Sequence, residues 1–289
     1  MFENEELIHL PEDVFRLIRD MIRDCCGIYF HDDSRYLLEK RLSKRVKDHH
    51  FSSFRDYYRH LLYDRNRDEE LAMIIDVLTV NETYFFREQN QLKTFSEEIL
   101  PELRDLNKDK KRLRIWSAGC STGEEPYTIA VLVIEKGYFY GWDIEIFGSD
   151  INQRVLQVAR SGIYRKNSFR TTEQHFIDKY FKEENSLFQI SGSVKQHVHF
   201  SHLNFLDPIK VKLVGIMDVI FCRNVLIYFD QKSRKKAVDI FYERLIDGGY
   251  LLLGHAESLI NISAAFTLRH FKHDMAYQKP IKKKVYTGA

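Results

Sequence analysis

The sequence is short of several things, and each shortage closes off a class of protein. Cysteine is scarce: four residues, at 25, 26, 120 and 222, two of them adjacent and none in a C-x-x-C pair. The chain therefore carries neither a disulfide framework nor a zinc ribbon, and it is expected to work reduced, in a cytoplasm. No stretch approaches the ~18 uninterrupted apolar residues of a membrane helix. The opening MFENEELIHLPEDV is acidic and lacks the apolar core of a secretory signal, so direct membrane insertion is not expected. A charge excess is also missing. There are 44 Lys and Arg against 42 Asp and Glu, a formal net of +2, which disfavours a dedicated nucleic-acid binder. Glycine is nearly absent from the first part: of 13 glycines, only Gly27 precedes position 119.

What is present fits a soluble globular protein of about two domains: 289 residues, 44% hydrophobic and 30% charged. A Gly-poor stretch with helical periodicity, followed by a Gly-punctuated one, predicts an all-α unit joined to an α/β unit. Pro11-Glu12-Asp13 opens a first helix through about Asp24. A second runs from about Asp33 to Lys47, with Leu38, Leu42 and Val46 at i, i+4, i+8. Two more fall near 52–63 and 67–79, and a long helix links the halves from about 88 to 106. Beyond it, strands alternate with helices: RLRIWSAG at 112–119, IEIFGSD at 144–150, VHFSHLN at 198–204, MDVIFC at 217–222 and YLLLGH at 250–255, with helices at 124–135, 152–160 and 231–246. This predicts a mostly parallel, doubly wound sheet. Residues 161–197 break the rhythm and read as a small antiparallel insertion. FTLRHFKHDMAYQKP at 266–280 reads as a hairpin, and the lysine-rich tail after Pro280 as frayed.

The strongest local feature is SAGCSTGEEPY, from Ser117 to Tyr127. A buried strand ends in a small-residue turn at Gly119 and a helix follows, the position where open α/β sheets bind ligands. Glu124 and Glu125 in the first turn would repel a pyrophosphate. They suit a cationic ligand, such as an amino-acid ammonium beside a sulfonium. The competing reading is a capping box of Thr122 and Glu125. Asp150 ends the next strand, where an acid receives ribose hydroxyls, or else caps the helix starting at Asn152. Together the two features favour S-adenosylmethionine over NAD. Arg223 and Asn224 emerge from another buried strand at the same sheet edge, with Tyr228 close behind. Before the α/β half, Asn81 to Glu88 reads NETYFFRE; by itself this is a hinge with aromatic packing. His197, His199 and His202 do not share one strand face and have no acid or thiol at ligand spacing, so no metal is expected. Cys120 and Cys222 read as small buried apolar residues.

NETYFFRE, WSAGCSTGEEPY, GSDIN followed by ARSGIY, FCRNVLIYFD and GHAES occur in this order and together resemble the chemotaxis receptor methyltransferases, the CheR family. The resemblance covers nearly the whole chain. It implies a class I (Rossmann-like) S-adenosylmethionine methyltransferase domain over 111–289 with an inserted antiparallel β-subdomain at about 161–197. That domain would follow an all-α receptor-recognition domain over 1–87 and a linker helix over 88–110. It implies a protein-glutamate O-methyltransferase that turns chemoreceptor glutamates into glutamyl methyl esters with release of S-adenosylhomocysteine, in chemotactic adaptation. Cofactor contacts carry over onto Asn81, Thr83, Arg87, Gly119, Glu124, Glu125, Asp150, Asn204, Phe205, Arg223 and Asn224, with Glu125 favoured over Glu124 and Asn204-Phe205 beside the adenine. Arg87 and Tyr228 carry over as the residues near the reacting methyl group.

The implied chemistry needs no general base. A glutamate of pKa ~4.3 is already an anionic nucleophile at pH 7, so catalysis reduces to in-line alignment. The second helix offers a partner surface. Arg35, Lys40, Arg41, Lys44, Arg45 and Lys47 against Glu39 give a local balance of +5. That is a solvated face in an anonymous protein, and for this family it is a surface for acidic receptor helices. The segment from Lys182 to Val194 is short, with Gly192 as its glycine, so tight docking of a receptor C-terminal peptide is not expected; a monomer is. Three other readings stay open. They are a methyltransferase of the same fold with another acceptor, a cofactor-binding scaffold in a non-motility chemosensory pathway, and an RNA methyltransferase, the last disfavoured by the charge balance.

Overall fold

The computed structural model describes residues 7–281; the first six residues of the acidic start and the tail from 282 lie outside them. By contacts the chain forms two units. One runs to Val80 and includes Tyr228–Arg234; the other takes Asn81–Ile227 and the chain from Lys235 on. Among the described residues no helix is long and apolar enough to cross a membrane.

The first unit holds α1 (Glu12–Cys26), α2 (Arg35–Asp48), α3 (Phe54–Tyr63) and α4 (Arg67–Leu78). Each follows from its apolar spacing. α1 buries Val14, Phe15, Ile18, Ile22 and Cys26 as one stripe, and Gly27 closes it at φ 84° with its N–H on the Arg23 carbonyl. α2 buries Leu38, Leu42 and Val46. Ser53 caps α3 by accepting the Asp56 N–H. α4 carries an acid into this core: Glu70 is 5% exposed. Its carboxylate accepts from Arg45 Nε at 3.0 Å, from Arg45 Nη2 and from the Tyr57 hydroxyl, and His49 Nε2 lies 2.8 Å away. Burial pushes this carboxyl up, yet the bonds from Arg45, Tyr57 and His49 together hold it below the usual range. The Tyr228 carbonyl accepts from Tyr29, and Phe229 bridges Ile28.

The second unit opens with a continuous helical run: α5 (Gln89–Thr94), a π-helical turn (Phe95–Ile99) and α6 (Leu100–Leu106). The spacing alone predicts one regular helix here. The wider turn precedes Pro101, whose ring cannot donate to or pack against a regular preceding turn. The strands are β1 (Arg112–Ala118), β2 (Asp143–Asp150), β3 (Ile163–Arg165), β4 (Phe181–Glu184), β5 (Leu187–Ile190), β6 (Val198–His202), β7 (Met217–Cys222), β8 (Leu245–Leu253), β9 (Thr267–His270) and β10 (Met275–Gln278). The helices between them are α7 (Glu124–Lys136), α8 (Gln153–Ser161), α9 (Gln174–Tyr180), α10 (Gly192–Lys195) and α11 (Gln231–Arg244). The large sheet has the order β6-β2-β1-β7-β8-β10-β9. Its first five strands are parallel, and β10 and β9 form the antiparallel terminal hairpin. β3, β5 and β4 make the separate antiparallel sheet expected of the insertion. β8 enters the sheet five residues before Tyr250, because Leu245 already pairs with Met217 across a bulge.

Candidate functional site

Strand order reverses between β1 and β7, the place where a parallel sheet leaves a crevice at its carboxyl edge. The turns after β1, β2 and β7 meet there. After β1, Gly119 (φ 81°), Ser121 (φ 49°) and Gly123 (φ 92°) are all left-handed. A Cβ on Gly119 would lie 2.5 Å from Val225 Cγ2, and one on Gly123 would lie 2.8 Å from Ala159 Cβ, so space as well as φ demands glycine. Gly123 occupies the cap position of α7 with no side-chain cap. Thr122 does not close a capping box; its hydroxyl donates to Glu124 Oε2 at 2.6 Å.

Asp150, at the end of β2, is not a helix cap either. That role falls to Asn152, whose side chain accepts from the Arg154 and Val155 N–H groups. Asp150 instead stitches two turns, accepting from Ser121 N–H at 2.8 Å and Asn152 N–H at 2.9 Å. Each oxygen keeps a further lone pair. Burial pushes this carboxyl up against the pull of those N–H groups.

The structure separates the two glutamates that sequence leaves ambiguous. Glu124 is buried and turns to Thr122 and to Ser168 of the insertion, which donates at 3.1 Å. Glu125 faces the sheet edge, accepting from Ser117 Oγ at 2.7 Å and from Arg223 Nη1 at 3.2 Å. Burial raises both carboxyls, and for Glu125 the Arg223 charge opposes the rise. Arg223, 3% exposed at its side chain, also donates to Glu88 from Nε at 3.2 Å and Nη2 at 3.0 Å, and to the Arg87 carbonyl.

The NETYFFRE segment joins this edge. The Asn81 carbonyl accepts from Ser121 Oγ at 3.0 Å, and Phe86 N–H donates to Thr128 Oγ1. Phe85 packs among Tyr164, Phe169 and Phe181 at 4.8–5.0 Å, and Phe86 stacks on Phe176. Thr83 is half-buried. Arg87 donates to the Glu82 carbonyl at 2.8 Å and lies over the Tyr84 ring; it pairs with no carboxylate among the described residues. Asn204 Oδ1 accepts from Leu206 N–H, and the Phe205 ring packs against Trp116 and Phe241. Asn224 is left-handed at φ 59°. Tyr228 belongs to the first unit by its contacts. Cys120 and Cys222 are buried, with their thiols pushed up by burial, as small apolar residues would be.

The basic helix α2 needs correcting. Lys40, Lys44 and Lys47 are exposed and Arg35 half-buried. Arg41, however, donates to the Leu78 carbonyl at 2.7 Å, and Arg45 turns inward to Glu70 rather than joining the outer face. Sequence reasoning also missed two acids, Glu88 and Glu257. Both stand inside motifs quoted above, and a buried arginine at a strand end should have prompted a search for its counter-ion.

The described residues suit a cationic, adenosine-bearing cofactor: free acceptor positions on Asp150 and Glu125, at a glycine turn too crowded to tolerate a Cβ. Comparison with known proteins agrees. Residues 81–275 match the family described as CheR methyltransferase, SAM binding domain, and residues 13–79 match CheR methyltransferase, all-alpha domain. The chain is 40% identical over 96% of its length to chemotaxis protein methyltransferase 2 of Vibrio cholerae, covering 96% of that protein. It is 36% identical to the chemotaxis protein methyltransferase of Borreliella burgdorferi, over 87% of this chain and 90% of that one. With the Escherichia coli chemotaxis protein methyltransferase it shares 31% identity over 93% and 92%.

Proposed function

The chain belongs to the CheR methyltransferase family, and we propose that it methylates glutamate side chains on the cytoplasmic helices of chemoreceptors, giving glutamyl methyl esters in chemotactic adaptation. The observation that carries the reading is the placement of two buried carboxylates at one sheet edge, Asp150 at the end of β2 and Glu125 in the first turn of α7, each held by hydrogen bonds with acceptor positions left over. When bound, S-adenosylmethionine supplies a methyl group on a positively charged sulfur. Asp150 is fixed by two N–H groups with lone pairs left for ribose hydroxyls, and Glu125 is held by Ser117 and Arg223 to meet an ammonium.

The acceptor glutamate is ionised at pH 7, so this chain has to supply no base. Its work is alignment and exclusion of water. Arg87, unpaired with any described carboxylate, orients the incoming one. It must do so loosely, because only interactions stronger in the transition state speed the step. Tyr228 shares that task. Lys40, Lys44 and Lys47 attract the acidic receptor helix.

The test is methyl transfer from labelled S-adenosylmethionine to receptor signalling fragments, read as base-labile methanol. Wild type should give it, and Arg87→Ala and Tyr228→Phe should each lose about tenfold or more in turnover, the scale of one positioned polar group. Absence of base-labile label with wild type would end this reading, and full activity in both variants would end the assignment of Arg87 and Tyr228.

A further inference from the structure

Glu257 lies in the GHAES segment just after β8, and its carboxylate is bonded in an unusual way. Oε2 accepts from the backbone N–H of Asn224 at 2.8 Å and of Gly254 at 2.8 Å. Oε1 accepts from those of Val225 at 3.0 Å and Ile227 at 3.1 Å. Successive N–H groups converging on one point form a concave nest that favours an anion. Here the anion is the protein's own side chain, from more than 30 residues further on.

The segment it grips follows β7 and carries Arg223 and Asn224. Asn224 sits at φ 59°, the left-handed region that asparagine enters more readily than other side-chain-bearing residues. The grip reaches further through packing. Val225, held by its N–H, places its Cγ2 where a Cβ on Gly119 would come within 2.5 Å. Gly254 is equally tight: a Cβ there would meet the Asn224 backbone nitrogen and Nδ2 at 2.8 Å. Glu257 therefore ties three turns into one register: its own after β8, the Arg223-Asn224 turn after β7, and, through Val225, the glycine turn after β1.

We propose that Glu257 is a positioning residue that sets cofactor affinity by fixing the backbone of residues 224–227, without itself reacting. The affinity half of this rests on the cofactor reading of the site; the clamp half stands on geometry alone. Glu257→Gln keeps the volume but turns an NH2 toward N–H donors, leaving at least two of the four without an acceptor. Glu257→Asp keeps the charge on a shorter arm and should behave in between.

Two measurements test it. Amide hydrogen exchange without cofactor should lose about tenfold or more protection at Asn224, Val225, Ile227 and Gly254 in Glu257→Gln, with the central β1 and β2 amides unchanged. S-Adenosylhomocysteine dissociation constant and KM for S-adenosylmethionine should rise about tenfold to a hundredfold, with kcat at saturating cofactor moving by less than about threefold. Unchanged exchange at the four amides overturns the clamp. Loosened exchange with unchanged affinity overturns positioning and leaves a purely structural bond. If Glu257→Gln does not fold, Glu257→Asp carries both measurements against the same criteria. Wild type that binds no S-adenosylhomocysteine would sink the cofactor reading and the affinity half with it, whereas exchange at the four amides would still decide the clamp.

Discussion

Replacing Arg223 with methionine should expose how the site is held together. The guanidinium makes three bonds of 3.0–3.2 Å to Glu88 and Glu125, whose side chains are only 12% and 15% exposed. Methionine fills much of the space but leaves two neighbouring carboxylates without their cation, a pair in which one carboxyl takes up a proton and the other stays ionised. Removing one partner of a buried pair costs ~3–5 kcal/mol. Protonation sets a ceiling on that cost. Lifting one carboxyl from its ordinary 4.5 to pH 7 corresponds to ~3.4 kcal/mol, at ~1.36 kcal/mol per pH unit. The expected loss at pH 7 is therefore ~3 kcal/mol. The sign of its pH dependence follows. The folded variant binds a proton that folded wild type lacks at neutral pH, so the variant gains on wild type as pH falls. The gap should close by ~1.4 kcal/mol per pH unit until about pH 5. Urea unfolding of both proteins at pH 7.5 and 5.5 measures this, and adding Glu125→Gln to Arg223→Met should recover stability. A gap that is flat with pH, a loss below ~1 kcal/mol, or a double variant no better than the single would refute the account of a buried cation between two acids.

Cofactor affinity should carry its own pH signature. Asp150 and Glu125 have carboxyls raised by burial, and a cation binds their ionised forms. S-Adenosylmethionine affinity should therefore decline as pH falls from 7 toward 5, before ordinary carboxylates titrate near ~4.3, with proton release on binding; calorimetry in buffers of different ionisation heat reads both, and a flat profile would count against the assignment. In the helical unit, Arg45→Met should cost ~3 kcal/mol by stranding Glu70, and Arg45→Met with Glu70→Met should recover most of it in thermal melts. Because Glu70 is held below its ordinary range, its contribution in wild type is complete above about pH 4.3 and is lost as pH falls through the lowered value. Lys40→Glu, Lys44→Glu and Lys47→Glu together should slow receptor methylation about tenfold at low salt with S-adenosylhomocysteine affinity unchanged; equal loss of both would remove the helix from the docking surface.

Much of this was legible in the sequence because its signals are local. The helices α1 to α4 announce themselves by apolar spacing, and β1, β2 and β7 by short buried runs ending in Gly119, Asp150 and Arg223. What was not legible depends on partners far apart in sequence. Arg45 reads as one more charge on a basic face, since nothing nearby shows that Glu70 waits for it in the core. Glu125 and Glu124 are neighbours in sequence, and only the positions of Arg223 and Ser168 tell them apart. Glu257 escaped for another reason: its partners are backbone N–H groups, which every sequence contains and none displays. The broadened turn before Pro101 was within reach, since proline chemistry predicts a break there.

The inserted subdomain has the topology of an ornament, a detour between α8 and β6 that leaves the main sheet's order intact. Its rings say otherwise. Phe85 is fully buried, and the three rings packed on it, Tyr164, Phe169 and Phe181, come from the detour. So does Ser168, whose carbonyl accepts the Phe85 N–H and whose hydroxyl holds Glu124. Excising the detour would leave an aromatic ring and a buried acid facing water. The outer surface of this small sheet can therefore change freely, whereas its inner face serves as a wall of the site, since both Phe85 and Glu124 depend on it.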